Sequence, residues 1–188
     1  IKIGSGHIMR CLTLADQLRG EGAEVIFICR LLPGAMFDML LARGYRYVKL
    51  PFKETDNNFQ TFDAKETIEA INEIFPDGLD WLVIDHYKLD ATWERLIRRT
   101  TRKIMVIDDL ADRQHDCDLL LDQNYYSNLK QRYNGLVPRK CITLLGPNYV
   151  LLRPEFVEAR KRLRTRDGSV RRILVFMGGS DPTNQTQK

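Results

Sequence analysis

The sequence predicts an α/β domain built on a doubly wound, mostly parallel sheet. Three observations carry this expectation. Short apolar runs of strand length recur along the chain. Amphipathic helical patterns stand between them. Polar or glycine-bearing segments follow the ends of the runs, where parallel sheets place their ligand sites.

The elements follow in order. Gly4-Ser5-Gly6-His7 opens a helix in which Ile8, Cys11, Leu12, Ala15 and Leu18 recur on one face, and Gly20 and Gly22 stop it. Residues 24–29 (EVIFIC) read as a buried strand. Pro33-Gly34 turns the chain into a short helix over 35–43, ended by Gly44. Residues 45–50 form a second strand, closed by Pro51. Residues 53–62 read as a polar loop, and 64–75 as a helix with Ile68, Ile71, Ile74 and Phe75 on its apolar side. Pro76-Asp77-Gly78 precedes a strand over 81–85 (WLVID), and Asp90 is placed to cap a helix running through Arg99. Further strands are expected over 104–108, 119–121 and 141–145, and a last helix over 154–164. Residues 172–177 (RILVFM) then begin a new strand that delivers Gly178-Gly179. The division expected is an α/β domain over 1–164, a link over 165–171, and the first strand and loop of a nucleotide-binding domain over 172–188. A strand before Gly4 is expected too, and only Ile1 to Ile3 stand there.

Composition narrows the classes. The chain has 188 residues, 44% hydrophobic and 29% charged, enough to bury a core and too apolar for a disordered chain. No apolar run approaches the about 20 residues that span a bilayer, and no secretory leader is visible. Cys11, Cys29, Cys117 and Cys141 form no CxxC pair, so the expectation is a reduced cytoplasmic protein with buried thiols and no zinc. The net charge of +4 is local: eight bases against three acids lie between Arg153 and Arg172, and the rest is near neutral. Its basic run over 160–172 has no interleaved aromatics, which argues against a nucleic-acid partner.

Five segments carry chemistry. Gly4-Ser5-Gly6-His7 pairs a close-approach loop with a helix N-terminus suited to an anion. The dipole and Arg10 one turn on both oppose charge on His7, so its ring is expected neutral and able to act as a general base; the alternative is a loop histidine bonded to backbone. Asp85-His86-Tyr87 follows WLVID and stands where a polar substrate would be met, or caps a turn. Asp108-Asp109 follows IMVID; without further ligands a metal is a poor reading, and capping is the alternative. Asn124, after another apolar run, can donate and accept toward amide or hydroxyl groups of a sugar. Gly178, Gly179, Ser180 and Asp181 fit a phosphate-binding loop that lacks the lysine of an ATPase.

Taken together, GSGHIMRCLTLADQL, VIDHYKLD, VIDDLADRQHDCDLLLDQN, LLGPNYVLLRPEF and ILVFMGGSDPTN resemble, in order, the PseG-type UDP-sugar hydrolases of pseudaminic acid biosynthesis. That family is similar to the MurG-like, two-domain GT-B glycosyltransferases. The resemblance implies a Rossmann-like N-terminal half of a GT-B-type protein in a bacterial, cytoplasmic pathway that supplies flagellin glycosylation. It implies inverting hydrolysis of UDP-2,4-diacetamido-2,4,6-trideoxy-β-L-altrose by water, with no metal or other cofactor. The family's histidine maps to His7 as the catalytic base, and its tyrosine to Tyr87. Gly6, Arg10, Asp85, Tyr87 and Asn124 are then the expected substrate-binding residues, and Gly178, Gly179, Ser180 and Asp181 the nucleotide-binding ones. Two other readings stay open: a glycosyltransferase on the same scaffold, and a domain that binds nucleotide sugars without catalysis.

Overall fold

A computed structural model describes residues 5–31, 37–51, 58–163, 165, 167–175 and 184–185. The chain divides into two compact units, one of Ile1–Ala23 with Leu151–Lys188 and the other of Glu24–Val150.

In the first unit, α1 (Ser5–Gly20) buries Leu12 and Ala15. Its end is a closed cap. The Ala23 amide donates to the Leu18 carbonyl at 3.0 Å and the Gly22 amide to Arg19 at 3.0 Å, with Gly22 at φ 92°.

Among the described residues, the second unit holds six strands and three further α-helices, α2 (Phe37–Ala42), α3 (Phe59–Ile74) and α4 (Ala91–Ile97). Strands β1 (Ile26–Arg30) and β2 (Arg46–Leu50) pair in parallel, Ile26 against Arg46. Strands β3 (Leu79–Ile84), β4 (Thr101–Ile107), β5 (Leu119–Asp122) and β6 (Ile142–Leu145) form a second parallel sheet in that order. The α/β fold with parallel sheets and flanking helices is therefore present, with its strands in two sheets. In the doubly wound order 3-2-1-4-5-6, the strand feeding the first glycine loop separates the pair equivalent to β1–β2 from the rest. The strand expected before Gly4 falls on residues 1–4, which lie outside the described residues.

The core lies between the second sheet and helices α3 and α4. Ile71, Ile97, Ile104, Leu120 and Cys117 are at most 1% exposed, with Trp93 and Tyr133 close behind. Ile104→Ala removes a fully buried side chain from the centre of β4, and about 2–5 kcal/mol of stability goes with it; urea unfolding measures the loss. The start of α4 is fixed twice. Asp90 accepts the Thr92 amide at 2.7 Å, as its placement before the helix foretold. Gln60 on α3 donates to Asp90 Oδ2 at 2.7 Å and accepts the Trp93 amide at 3.2 Å.

The structure corrects four expectations. Residues 59–62, read as loop, are the first turn of α3. Its buried side carries Asp63 and Thr67 beside Ala64 and Ile71, which obscures the apolar period. Asp63 tolerates burial because Trp93 Nε1 donates to it at 2.9 Å and Arg30 Nε at 2.8 Å. The β4–β5 and β5–β6 connections contain no α-helix, only loops and a short 3-10 turn at Leu129–Gln131. Cys117 and Cys141, distant in sequence, bring their sulfurs within 3.6 Å ahead of β5 and β6, and of the four cysteines only Cys117 is buried. In the first unit, α5 (Pro154–Lys161) is followed by residues 171–175 outside any strand, with Leu174 90% exposed, and the rest of the strand expected over 172–177 lies outside the described residues. A strand exists only as one side of a ladder, and no described segment pairs with these residues. Among the described residues, no helix is long and apolar enough to cross a membrane.

Candidate functional site

The carboxyl ends of β3, β4 and β5 gather polar residues of the second unit. Two carboxylates form the floor. Asp108 and Asp122, each 0% exposed, terminate neighbouring strands. The Tyr133 hydroxyl stands between them, 3.0 Å from Asp108 Oδ2 and 3.2 Å from Asp122 Oδ2. It has one proton to give, so cations neutralise the rest. Arg132 Nε donates to Asp122 at 3.1 Å, and Arg113 lies 2.9 Å from Asp108 Oδ1 as a charge contact. Burial pushes the Asp108 carboxyl up, but the Ala111 amide, the Arg113 charge and the Tyr133 hydroxyl outweigh it and hold Asp108 below the usual carboxylate range. The same burial, with both carboxylates beside it, drives the Tyr133 hydroxyl far above an ordinary tyrosine.

Above this floor sits an exposed row. Tyr87 after β3 donates its hydroxyl to Asp109 Oδ2 at 3.4 Å, and Asn124 after β5 donates its amide to the same oxygen at 3.1 Å. Asp109 is held by its backbone: its carbonyl accepts from Arg132 at 2.8 Å and from Tyr126 at 3.1 Å, and the Arg132 guanidinium lies 3.4 Å from the Tyr126 ring centroid. The turn carrying Asn124 is fixed by its own amide, which donates to Asp122 Oδ1 at 3.1 Å. Thus Tyr87 and Asn124, both expected from sequence, are joined, and the link is Asp109 and not Asp85. Asp85 follows β3 and is half-buried. His86 accepts the Lys88 amide at 3.1 Å and stacks on Phe59, a local structural role. Asp108 caps Ala111 at 2.9 Å, so of the Asp108-Asp109 pair only Asp109 reaches the exposed row.

Sequence reasoning missed the supporting layer. His115 and Glu94, both buried, meet at 2.7 Å, and His115 Nε2 has no hydrogen-bond partner and lies 4.0 Å from Asp108 Oδ2. Tyr133 and Arg132 lie in a stretch without strand or long helix, where no period marks them. The one available signal was an aspartate closing each apolar strand.

The first unit carries His7, Gly6 and Arg10. Arg10 Nη2 lies 3.2 Å from His7 Nδ1. A guanidinium can only donate, so Nδ1 is the acceptor and the ring proton is on Nε2. A cavity of about 180 Å³ opens beside them, lined by Gly6, Met9, Arg10, Thr13, Leu151, Arg153 and Phe156. Gly178, Gly179, Ser180 and Asp181 lie outside the described residues.

No protein-family model matches the chain. A UDP-2,4-diacetamido-2,4,6-trideoxy-beta-L-altropyranose hydrolase of Campylobacter jejuni is 33% identical to it over 184 residues, 97% of the chain. The chain is a relative of that hydrolase. An uncharacterized protein of Methanocaldococcus jannaschii is 26% identical over the whole chain. The chain spans 58% of the length of the first relative and 37% of the second. The similarity to the hydrolase therefore runs through both the His7 helix and the Tyr87–Asp109–Asn124 row.

Proposed function

We propose that this chain is the sugar-side part of an inverting UDP-sugar hydrolase acting in pseudaminic acid biosynthesis. The observation that carries the reading is the convergence of Tyr87 and Asn124 on Asp109 at the strand ends, in a chain related along its length to a hydrolase of this kind. A phenol, a carboxamide and a carboxylate within one row offer donors and acceptors to the acetamido and hydroxyl groups of a diacetamido sugar.

In the proposed step a water oxygen forms a bond to the anomeric carbon. His7 takes the water's proton, the bond to the phosphate oxygen breaks, and UDP leaves with that electron pair. Gly6, Arg10 and the start of α1 favour the departing anion. Residues 165–171 link to a nucleotide-binding domain whose first loop is Gly178-Gly179-Ser180-Asp181.

The test is product analysis by NMR with the full-length parent protein in ¹⁸O-labelled water. The expected product is free sugar, inverted at C1 and carrying the label there. A glycoside overturns the reading in favour of a glycosyltransferase, and binding without turnover overturns it in favour of a binding domain. Tyr87→Phe and Asn124→Ala each remove one neutral hydrogen bond of the row, so each lowers kcat/KM by about 3- to 10-fold. Unchanged kinetics in both would remove the row from the site.

A further inference from the structure

We propose that Cys117 and Cys141 form a redox-active pair, and that a disulfide between them fastens the loop that carries Asn124, Arg132 and Tyr133. The inference stands apart from the hydrolase reading and uses no part of it.

The two sulfurs lie 3.6 Å apart, although the residues are 24 positions apart in the chain. Both are thiols. A disulfide needs about 2.05 Å, which leaves roughly 1.5 Å for side-chain rotation to cover. The backbone on each side is pinned. Arg98 holds Asp116 and Asp118, the residues flanking Cys117. The Asp118 amide donates to the Ile104 carbonyl at 2.8 Å, and the Asp118 carbonyl accepts the Ile142 amide at 2.9 Å. The Cys141 amide donates to the Pro138 carbonyl at 2.9 Å. Sulfurs held this close by fixed backbone react with each other in preference to a free thiol.

Their surroundings set the order of reaction. Cys117 is 0% exposed and belongs to the core, so no reagent meets it first. Cys141 is half-buried and follows Arg139 and Lys140, both exposed cations that attract an anionic thiol reagent and favour a thiolate. The Cys141 thiol has the Ile142 carbonyl at 3.5 Å to accept its proton, so the proton between the sulfurs is the one Cys117 donates. That hydrogen bond holds the Cys141 thiol below an ordinary cysteine. The same bond, with burial, raises the Cys117 thiol.

The co-reactant is a small-molecule disulfide of the glutathione type. The Cys141 thiolate attacks one of its sulfurs, the S–S bond breaks, and one glutathione leaves with the electron pair. Cys117 then loses its proton and attacks the Cys141 sulfur, and the second glutathione leaves with that electron pair and a proton. Two protein thiols are oxidised to one disulfide, and one glutathione disulfide is reduced to two thiols. The new bond closes a loop containing Asp122, Asn124, Tyr126, Arg132 and Tyr133. Beyond β5 that loop has no α-helix of its own, and a cross-link at its base removes its open states.

Full-length parent protein is incubated with oxidised glutathione, quenched with acid and an alkylating reagent, digested, and read by mass spectrometry. The expected product is the Cys117 peptide joined to the Cys141 peptide, and dithiothreitol restores both thiols. Cys117→Ser stops after the first step and keeps glutathione on Cys141, and Cys141→Ser leaves Cys117 unmodified. Cys29, whose thiol burial pushes up to about 11, reacts at least about 10-fold more slowly than Cys141. Amides over 119–136 exchange hydrogen about 10-fold more slowly in the oxidised protein than in the reduced one. Glutathione retained on Cys141 of the unmutated protein without a cross-link would overturn the pair. So would a pair that stays reduced while Cys29 reacts, or a bridge from either cysteine to a different one. A cross-linked protein with unchanged exchange over 119–136 would overturn the fastening. These measurements on the unmutated protein decide the proposal even where Cys117→Ser fails to fold.

Discussion

Replacing His7 by Ala or Phe in the full-length protein lowers hydrolysis by about 10²- to 10⁴-fold, the usual contribution of a positioned general base. UDP affinity stays within about 2-fold, because most of the proposed nucleotide contacts belong to another part of the protein and the imidazole is not among them. The expectation follows from the position of the ring in the first turn of α1 and from its partner. Arg10 donates to Nδ1, which is therefore the ring nitrogen with a lone pair and takes a proton when Arg10 gives way. An alanine or phenylalanine has no such atom, and water alone must lose its proton unaided. Steady-state kinetics with titration calorimetry separates the two effects, and near-unchanged turnover in either variant defeats the assignment.

Asp108→Ala destabilises the protein by about 3–5 kcal/mol, the cost of leaving a buried partner charge unpaired. The carboxylate is completely buried and meets the Ala111 amide, the Tyr133 hydroxyl and the Arg113 cation. Removing it takes the buried carboxylate from Arg113, which is 15% exposed in its side chain and is left with the carbonyls of Leu89 and His86 and the more exposed Asp112. Urea unfolding reads the loss, and an Asp108→Ala variant within 1 kcal/mol of wild type would dissolve the argument. The same carboxylates set the acid limit. Asp118 is raised by burial, but the Ile104 amide, Arg98 and Lys103 more than offset this and bring it from 3.8 to about 2. A carboxyl depressed in the folded state contributes stability above its unfolded value and loses it as pH falls through the folded one. Thermal stability therefore declines between pH 3.8 and about 2, and Asp118→Asn flattens that decline.

The reading of the sequence succeeded where periodicity and burial agree. Strands such as 104–108 and 119–121 are continuous apolar runs because both faces are covered, and Gly22 and Gly44 mark helix ends because the caps need positive φ. It failed where a polar residue is buried and paired. Asp63 and Thr67 hid the first turn of α3, since a carboxylate satisfied by Trp93 and Arg30 looks like a loop residue in sequence. In the site, Tyr87 and Asn124 were legible as polar groups after apolar runs. Their junction at Asp109 was not, because it depends on which of two adjacent aspartates turns outward. The Asp108–Tyr133–Asp122 floor depends on a contact between segments that share no local pattern.

Every ladder among the described residues is parallel, and that bears on how the chain folds. No strand pair closes through a tight hairpin, so each must wait for its crossover to loop back. The shortest such closure brings Met105 to Leu119, between the two central strands, while Leu120 must reach Thr143. Loop-closure entropy rises only slowly with length, but the contacts that repay it are all non-local. Such topology slows collapse to the native register relative to helical bundles. The β4–β5 pair joins the shortest crossover of the four described ladders to a wholly apolar contact, so its closure costs least.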